Sequence, residues 1–251
     1  MYNCLFLGNK IVRLAEVDST NVYAAALIKT SPKIITDGMV IYTDNQTNGK
    51  GQRGSIWETT PNKNLTFSIV LKPNLLVNEQ FLLSKICALG ILDFLTDLGI
   101  KNTHIKWPND IYVDNKKIAG MLLENTLKNS KIEFCVAGIG ININQTIFNE
   151  HLQQATSLQL ITNKSYNLTS ILNQLLFFIE KRYLQLKASK IQQINNDYLN
   201  HLLGYNTERT YLINNQKILG VISGVAISGK LQLIHENNLH EYDMKEIGFV
   251  L

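Results

Sequence analysis

Residues 46–57 read Q-T-N-G-K-G-Q-R-G-S-I-W, and Gly49, Gly51 and Gly54 within them spell G-x-G-x-x-G. The fold class turns on what surrounds these glycines. A dinucleotide-binding βαβ unit needs a strand before them, a helix opening on the last one and an acidic residue about twenty positions on. The apolar run 39–43 supplies the strand, but Gly54 is followed by S-I-W-E-T-T-P and then by a second strand-like run, 64–72, that stops at Pro73. No helix opens there, and the positions where a carboxylate should receive a ribose are Asn74 and Leu75. The Walker pattern fails as well, because no Ser or Thr follows Gly49-Lys50. What remains is a loop whose glycines let backbone N–H groups converge into a nest, with Lys50 and Arg53 adding two cations. Taken alone, that composition also suits a solvated surface loop.

Working outward, helical and strand periods alternate, so the class is mixed α and β. Residues 11–17 read as a strand, and Asp18-Ser19-Thr20-Asn21 offers N-cap side chains to a helix through Ala24, Leu27 and Ile28. The spacing of Phe81, Leu82, Ile86, Leu89, Phe94 and Leu95 predicts a helix over 78–98, with Gly99 as its C-terminal stop. The block 105–144 holds two strand runs around the turn Asp114-Asn115-Lys116 and a long apolar strand over 132–143. Tight turns cannot make parallel crossovers, so this block predicts the centre of an antiparallel or mixed sheet. Helices are expected over 169–187 and 188–203.

After Gly204 the texture changes to short strands separated by Asn214-Asn215, Ser228-Gly229 and Asn237-Asn238, which are hairpin signals. The chain therefore divides into a large unit, 1–204, and a small β unit, 205–251. The second is too small to be very stable alone and should pack on the first.

Bulk properties exclude several function classes. The 251 residues are 45% apolar and 18% charged, with a net charge of +4, which is no nucleic-acid footprint. No window holds the roughly 18 consecutive apolar residues of a membrane span, and M-Y-N-C-L-F-L-G-N-K is not a signal peptide. Few residues precede the first strand, fewer than a DNA-reading module needs. Cys4, Cys87 and Cys135 are odd in number and sit in apolar surroundings, as buried thiols of a reducing compartment would. A cytoplasmic protein without nucleic-acid or membrane partners is expected.

A second constellation lies at Lys106-Trp107-Pro108-Asn109-Asp110, which leaves a strand and turns sharply, with Lys117 seven residues beyond Asp110 on the returning strand. This hairpin would bring a carboxylate and an ammonium within reach of one ligand. By itself it is also an ordinary β-turn.

The combination of D-S-T-N (18–21), G-K-G-Q-R-G-S-I-W (49–57), K-W-P-N-D (106–110), K-I-A-G (117–120), G-I-G-I-N-I-N (138–144) and Q-A-T-S-L (154–158) resembles the biotin protein ligases in order and spacing along nearly the whole chain. The resemblance implies a central, mixed and largely antiparallel sheet flanked by helices, of the class II synthetase-like kind. It also implies a small SH3-like β-barrel at the C-terminus and no DNA-binding domain. It implies activation of biotin by ATP with Mg2+, then transfer to a lysine of a biotin carboxyl carrier protein domain of a biotin-dependent carboxylase. A homodimer is left open. A lipoate or octanoate ligase or transferase of the same fold is the alternative; its ligand has no ureido head needing polar partners.

Carried over by motif, Ser19, Thr20, Asn21 and Gln46 would hold the biotin ureido group, and Gly49, Gly138 and Gly140 would let the biotin ring approach the backbone. Gly49, Lys50, Gly51, Gln52, Arg53 and Gly54 would form the phosphate loop, with Lys50 also catalytic. Trp57 would border adenine, and Lys106, Asn109 and Asn142 would contact the nucleotide. Lys117 would serve biotin carboxylate and α-phosphate alike. Asp110 would either orient the carrier lysine or hold metal. The chain departs from the family's pattern at Lys50 and Gln52, where arginines are common, and in lacking an arginine near its end that some relatives direct at the nucleotide. Gln52, being uncharged, should retain the adenylate less tightly.

Overall fold

The computed structural model describes residues 2–250, with the side chain of Arg53 outside the described set. In chain order, the large unit consists of β1 (Ile11–Val17), α1 (Thr20–Thr30), β2 (Met39–Gln46), β3 (Gly49–Lys50), β4 (Ile56–Trp57), β5 (Leu65–Leu71), α2 (Phe81–Asp97), β6 (Thr103–Lys106), β7 (Asp110–Val113), β8 (Lys116–Lys128), β9 (Lys131–Ile141), α3 (Leu158–Thr162), α4 (Leu168–Lys187) and α5 (Ile191–Asn200). The C-terminal sheet follows as β10 (Glu208–Ile213), β11 (Gln216–Val225), β12 (Leu231–His235), β13 (Asn238–Tyr242) and β14 (Ile247–Phe249).

The main sheet runs β1-β2-β5-β9-β8-β7-β6, with β1 and β2 parallel and every other pair antiparallel. The predicted central strand is β9, paired on both sides. The predicted helix over 78–98 is α2, preceded by a 3-10 turn at Val77–Glu79, and Gly99 takes a φ of 78° at its end. The second C-terminal helix is shorter than expected, Ile191–Asn200.

Strand alternation explains where open space is left. On β5, Leu65, Phe67, Ile69 and Leu71 turn to one face, where with Cys135, Ala137, Ile139 and Ile141 of β9 they meet α2 and α4 in the main core. The other face carries Val70, Met39, Ile41, Phe134 and Val136 at one end, covered by Ala24 and Ile28 of α1. Further along, the same face presents Thr66 and Ser68 beside Gly138 and Gly140, in the register Thr66↔Gly140 and Ser68↔Gly138. Small side chains on adjacent strands leave a hollow where the rest of that face is filled.

Two buried ionisable groups shape the helical layer. Glu180 of α4 is buried and accepts the backbone N–H of Leu5, Phe6 and Leu7 at 2.6, 2.8 and 2.8 Å, which fastens the N-terminal segment to the core. Lys85 of α2 is 5% exposed, donates to Asn195 Oδ1 at 2.8 Å and lies over the rings of Phe81 and Tyr198. Burial pushes its ammonium down to about 8. Because the folded value lies below the unfolded one, near 10.4, the penalty is full below pH 8 and fades as pH rises to about 10. Lys85→Met should therefore raise stability at pH 7 by about 2 kcal/mol, taking about 3 for the relieved shift less about 1 for the lost hydrogen bond. The gain should shrink above pH 10. Urea unfolding at pH 7 and pH 10 checks this, and a variant less stable at pH 7 would contradict it.

Cys87 and Cys135 are buried as expected, whereas Cys4 is only half-buried; all three are free. The C-terminal sheet has the order β13-β12-β11-β10-β14, antiparallel throughout, the small SH3-like unit expected after Gly204. Asn214 and Asn215 both take positive φ in the first hairpin turn. The last hairpin turns on Glu236 and Asn237, one residue earlier than predicted, because Asn238 already pairs with His235. The unit docks through Trp107, whose Nε1 donates to Gly229 O at 2.9 Å, and through Phe81, against which a Cβ at Gly229 would lie at 2.7 Å. Tyr211, Ile222, Leu231 and Leu233 join the main core cluster.

Candidate active site

The hollow over the sheet forms a half-open cavity, with about 660 Å³ of empty space when its open mouth is included. Its floor is β5, β8 and β9, its inner wall the start of α1, and its outer wall the hairpin of β3 and β4. Of the residues expected from the sequence, Ser19, Thr20, Asn21, Gln46, Lys50, Gly51, Gln52, Trp57, Asn109, Asp110, Lys117, Gly138 and Gly140 line it.

The inner wall is a hydrogen-bonded chain. Gln46 Oε1 accepts Thr20 N at 3.0 Å, and Thr20 Oγ1 lies 2.7 Å from Ser68 Oγ, which lies 2.6 Å from Asn21 Oδ1. Asn21 Nδ2 in turn donates to Leu122 O and to Glu124 Oε2, at 3.1 and 2.7 Å. Ser19 occupies the N-cap position of α1 but makes no capping bond; Asp18 accepts its N–H instead, so the polar cluster at the helix start is turned to the cavity.

At the mouth, Lys117 Nζ stands 2.7 Å from Asp110 Oδ1, an ion pair whose angle is poor for a hydrogen bond. A β-bulge makes this encounter possible. Ile111 pairs with Ala119 and Tyr112 with Lys117, which leaves Ile118 unpaired. The extra residue shifts the alternation, so that Ile118 and Ala119 are both buried in the core while Lys117 and Gly120 share the cavity face. A Cβ at Gly120 would stand 3.2 Å from Lys117 Nζ. The backbone of Lys117 is clamped by the 154–156 segment, donating to Gln154 O and accepting from Thr156 N.

Lys106 lies outside the main cavity, in a second cleft with Trp107, Pro108, Met244 and Phe249; Asp110 and Gln52 border both. Burial pushes the Lys106 ammonium below its usual value; Asp110 draws it up and Lys117 presses it down. Tyr112, against which Lys106 packs, is raised to about 12 by burial and then by Asp110.

Other expected residues lie differently. Asn142 is buried outside the cavity lining and donates to Thr156 O at 2.9 Å, so it braces the segment that holds Lys117. Gly138 and Gly140 do not form bare floor: a Cβ at Gly138 would lie 2.2 Å from Asn21 Oδ1, and one at Gly140 2.3 Å from Trp57 Cε2. Trp57 thus lies over the sheet glycines, with Lys117 Nζ 5.5 Å from its ring, and its buried Nε1 has no partner. The glycine loop is a two-stranded hairpin with a 3-10 turn at Gln52–Gly54, and Gly51 N is already bonded to Ser55 O. Gly49 packs against Trp57 O and Gln46 Nε2 behind the wall, and Gly54, at φ 85°, stands clear of it. The side chain of Arg53 lies outside the described residues.

Sequence reasoning missed Ser68, Gly120 and Glu124. Polar residues alternating within the apolar strand L-T-F-S-I-V-L signal Thr66 and Ser68; nothing local signals Glu124.

The biotin/lipoate A/B protein ligase family model matches residues 15–142, half of the chain and every cavity wall described above. The chain belongs to this family. It is 25% identical over 230 residues to a bifunctional ligase/repressor BirA of Bacillus spizizenii, covering 90% of this chain and 70% of that one. With a biotin--[acetyl-CoA-carboxylase] ligase of Mycobacterium tuberculosis it shares 28% identity over 225 residues, 88% of this chain and 81% of that one. A solved structure of biotin protein ligase from Aquifex aeolicus in complex with biotin and ATP superposes with a TM-score of 0.77 at 27% identity, covering 96% of this chain and 98% of that one. Among the described residues no helix is long and apolar enough to cross a membrane.

Proposed function

We propose that this member of the family is a biotin protein ligase, which joins biotin to AMP and then transfers the biotinyl group to a lysine of a biotin carboxyl carrier protein domain. The observation that carries the reading is the juxtaposition of a polar inner wall, built from Thr20, Asn21, Gln46 and Ser68, with the Lys117–Asp110 pair at the mouth of the same cavity. A ureido head placed between unpartnered apolar walls would lose its hydrogen bonds to water, a cost of about 1–3 kcal/mol per group. The polar wall removes that cost, and a lipoyl dithiolane would gain nothing from it.

In the first half-reaction a biotin carboxylate oxygen attacks the α-phosphorus of ATP, a P–O bond forms and pyrophosphate leaves. Two anions must approach, so the cation at Lys117 stabilises both partners and the charge that builds between them. Lys50, exposed on the outer hairpin, adds a second cation beside the mouth. Trp57 offers its ring face and its free Nε1 to the nucleotide side. In the second half-reaction the carrier amine attacks the acyl carbon and AMP departs. Asp110 borders the second cleft as well as the cavity, and it steers the amine arriving there.

No group of three His, Cys, Asp or Glu able to hold a metal occurs among the described residues, and Asp110 is the one carboxylate on the cavity wall. Magnesium would therefore arrive on the triphosphate and would supply positive charge for the leaving pyrophosphate, and Asp110 is the carboxylate placed to help hold it if it does not serve the amine. The division of labour follows the boundary at Gly204: residues 1–204 supply the cavity, and 205–251 supply the far wall of the second cleft.

Incubation with ATP, magnesium and biotin should release pyrophosphate only when biotin is present, and should label a carrier domain when one is added. Release that ignores biotin, or responds to lipoate instead, contradicts the reading. Gln52, uncharged on the cavity wall, should let biotinyl-adenylate escape. Gln52→Arg should slow that escape about tenfold, the effect of one added charge-assisted contact. Adenylate appearing in solution without carrier is the measure, and equal escape from both proteins would refute the point.

A further inference from the structure

Glu124 does not itself line the cavity, yet it closes the hydrogen-bonded chain that does. Each link has one arrangement of protons. Leu122 O and the Glu124 carboxylate accept only, so the Asn21 amide must turn its NH2 end to them. Its Oδ1 therefore faces Ser68 and accepts, and the single Ser68 proton is committed to that contact at 2.6 Å. The 2.7 Å contact between Ser68 Oγ and Thr20 Oγ1 also needs a proton, which Thr20 provides there in preference to its longer contact of 3.4 Å with Gln46 Oε1. Gln46 Oε1 is 3.0 Å from Thr20 N and accepts there, which leaves Gln46 Nε2, on the Gly49 side, as the donor end of that amide.

We propose that Glu124 is a specificity-determining positioning residue: through Asn21 and Ser68 it polarises Thr20, so that the cavity offers a hydroxyl acceptor at Thr20 beside an amide donor at Gln46. Such a wall takes a ligand group with an N–H donor next to a carbonyl acceptor, as in a cyclic urea, and rejects a group of the opposite polarity. This rests on the biotin ligase reading above and adds the element that orders its pocket.

The test is biotin binding by isothermal titration to the full chain and to Glu124→Gln, Glu124→Lys and Ser68→Ala, with thermal melting as a check on folding and the Michaelis constant for ATP as a second readout. Gln at 124 keeps an acceptor for Asn21 and should restore binding to near that of the unaltered chain. Lys at 124 presents a donor to the NH2 end of Asn21, while Leu122 O still resists a flip of the amide, so the last link of the chain is lost and biotin should bind about tenfold more weakly, the worth of one hydrogen bond. The Michaelis constant for ATP should hold steady. Ser68→Ala, which breaks the chain at its middle, should show the same loss and keeps the test decisive where Glu124→Lys fails to fold. A biotin analogue methylated at the ureido nitrogen that faces Thr20 has already lost the contact, so Glu124→Lys should weaken it far less. Unchanged biotin affinity in Glu124→Lys and Ser68→Ala, or a loss in Glu124→Gln as large as in Glu124→Lys, overturns the proposal. If the unaltered chain itself binds no biotin, the ligase reading falls first, and the two failures are told apart.

Discussion

Lys117→Ala should lower biotin-dependent pyrophosphate release by roughly 10²–10³-fold, with folding intact. The side chain is about one-third exposed and makes no core contact, so its removal leaves the sheet unchanged. On the proposed mechanism it removes the cation that serves both anions of the first half-reaction, and loss of one preorganised electrostatic partner costs roughly 10²–10³ in rate. The bulge at Ile118 sharpens the expectation, because the backbone conformation that aims Lys117 survives the substitution. A steady-state assay with and without carrier measures the loss. A reduction of less than about tenfold, one hydrogen bond's worth, would remove Lys117 from the chemistry.

The other large effect should come from Gly138→Ala. The new methyl would sit 2.2 Å from Asn21 Oδ1 and 2.8 Å from its Cγ. Asn21 cannot swing aside cheaply, because Ser68, Leu122 and Glu124 all hold it. Relief must come from breaking that chain or moving the start of α1 off β9, and either disorders the inner wall. Biotin affinity should fall about a hundredfold, while overpacking costs about 1–3 kcal/mol of stability. Calorimetric titration alongside urea unfolding separates the two effects. Full affinity in Gly138→Ala would mean that the inner wall is not where biotin sits.

The fold was legible in the sequence where pattern and turn chemistry agree. Apart from β3, β4 and α3, the order of strands and helices through residue 203 and the hairpins after Gly204 follow from apolar period and from Asn and Gly turns. The encounter of Asp110 with Lys117 was legible from a strand, tight turn and strand. Its mechanism was not, because simple alternation would place Lys117 and Gly120 on opposite faces, and an unpaired residue is set by tertiary pairing. The burial of Asn142 was not legible, because a motif residue two positions beyond the cavity glycine Gly140 can still turn inward, where Thr156 O satisfies it. Glu124 and Glu180 were invisible for a different reason. Their partners, Asn21 and the 5–7 backbone, lie about 100 and about 175 residues away in the chain, so no local signal marks them.

The most direct test of the account is titration of the unaltered chain with biotin and, in parallel, with lipoate. The account predicts saturable biotin binding that tightens when ATP and magnesium are added, and no comparable binding of lipoate. Equal affinity for the two, or lipoate binding alone, would contradict it.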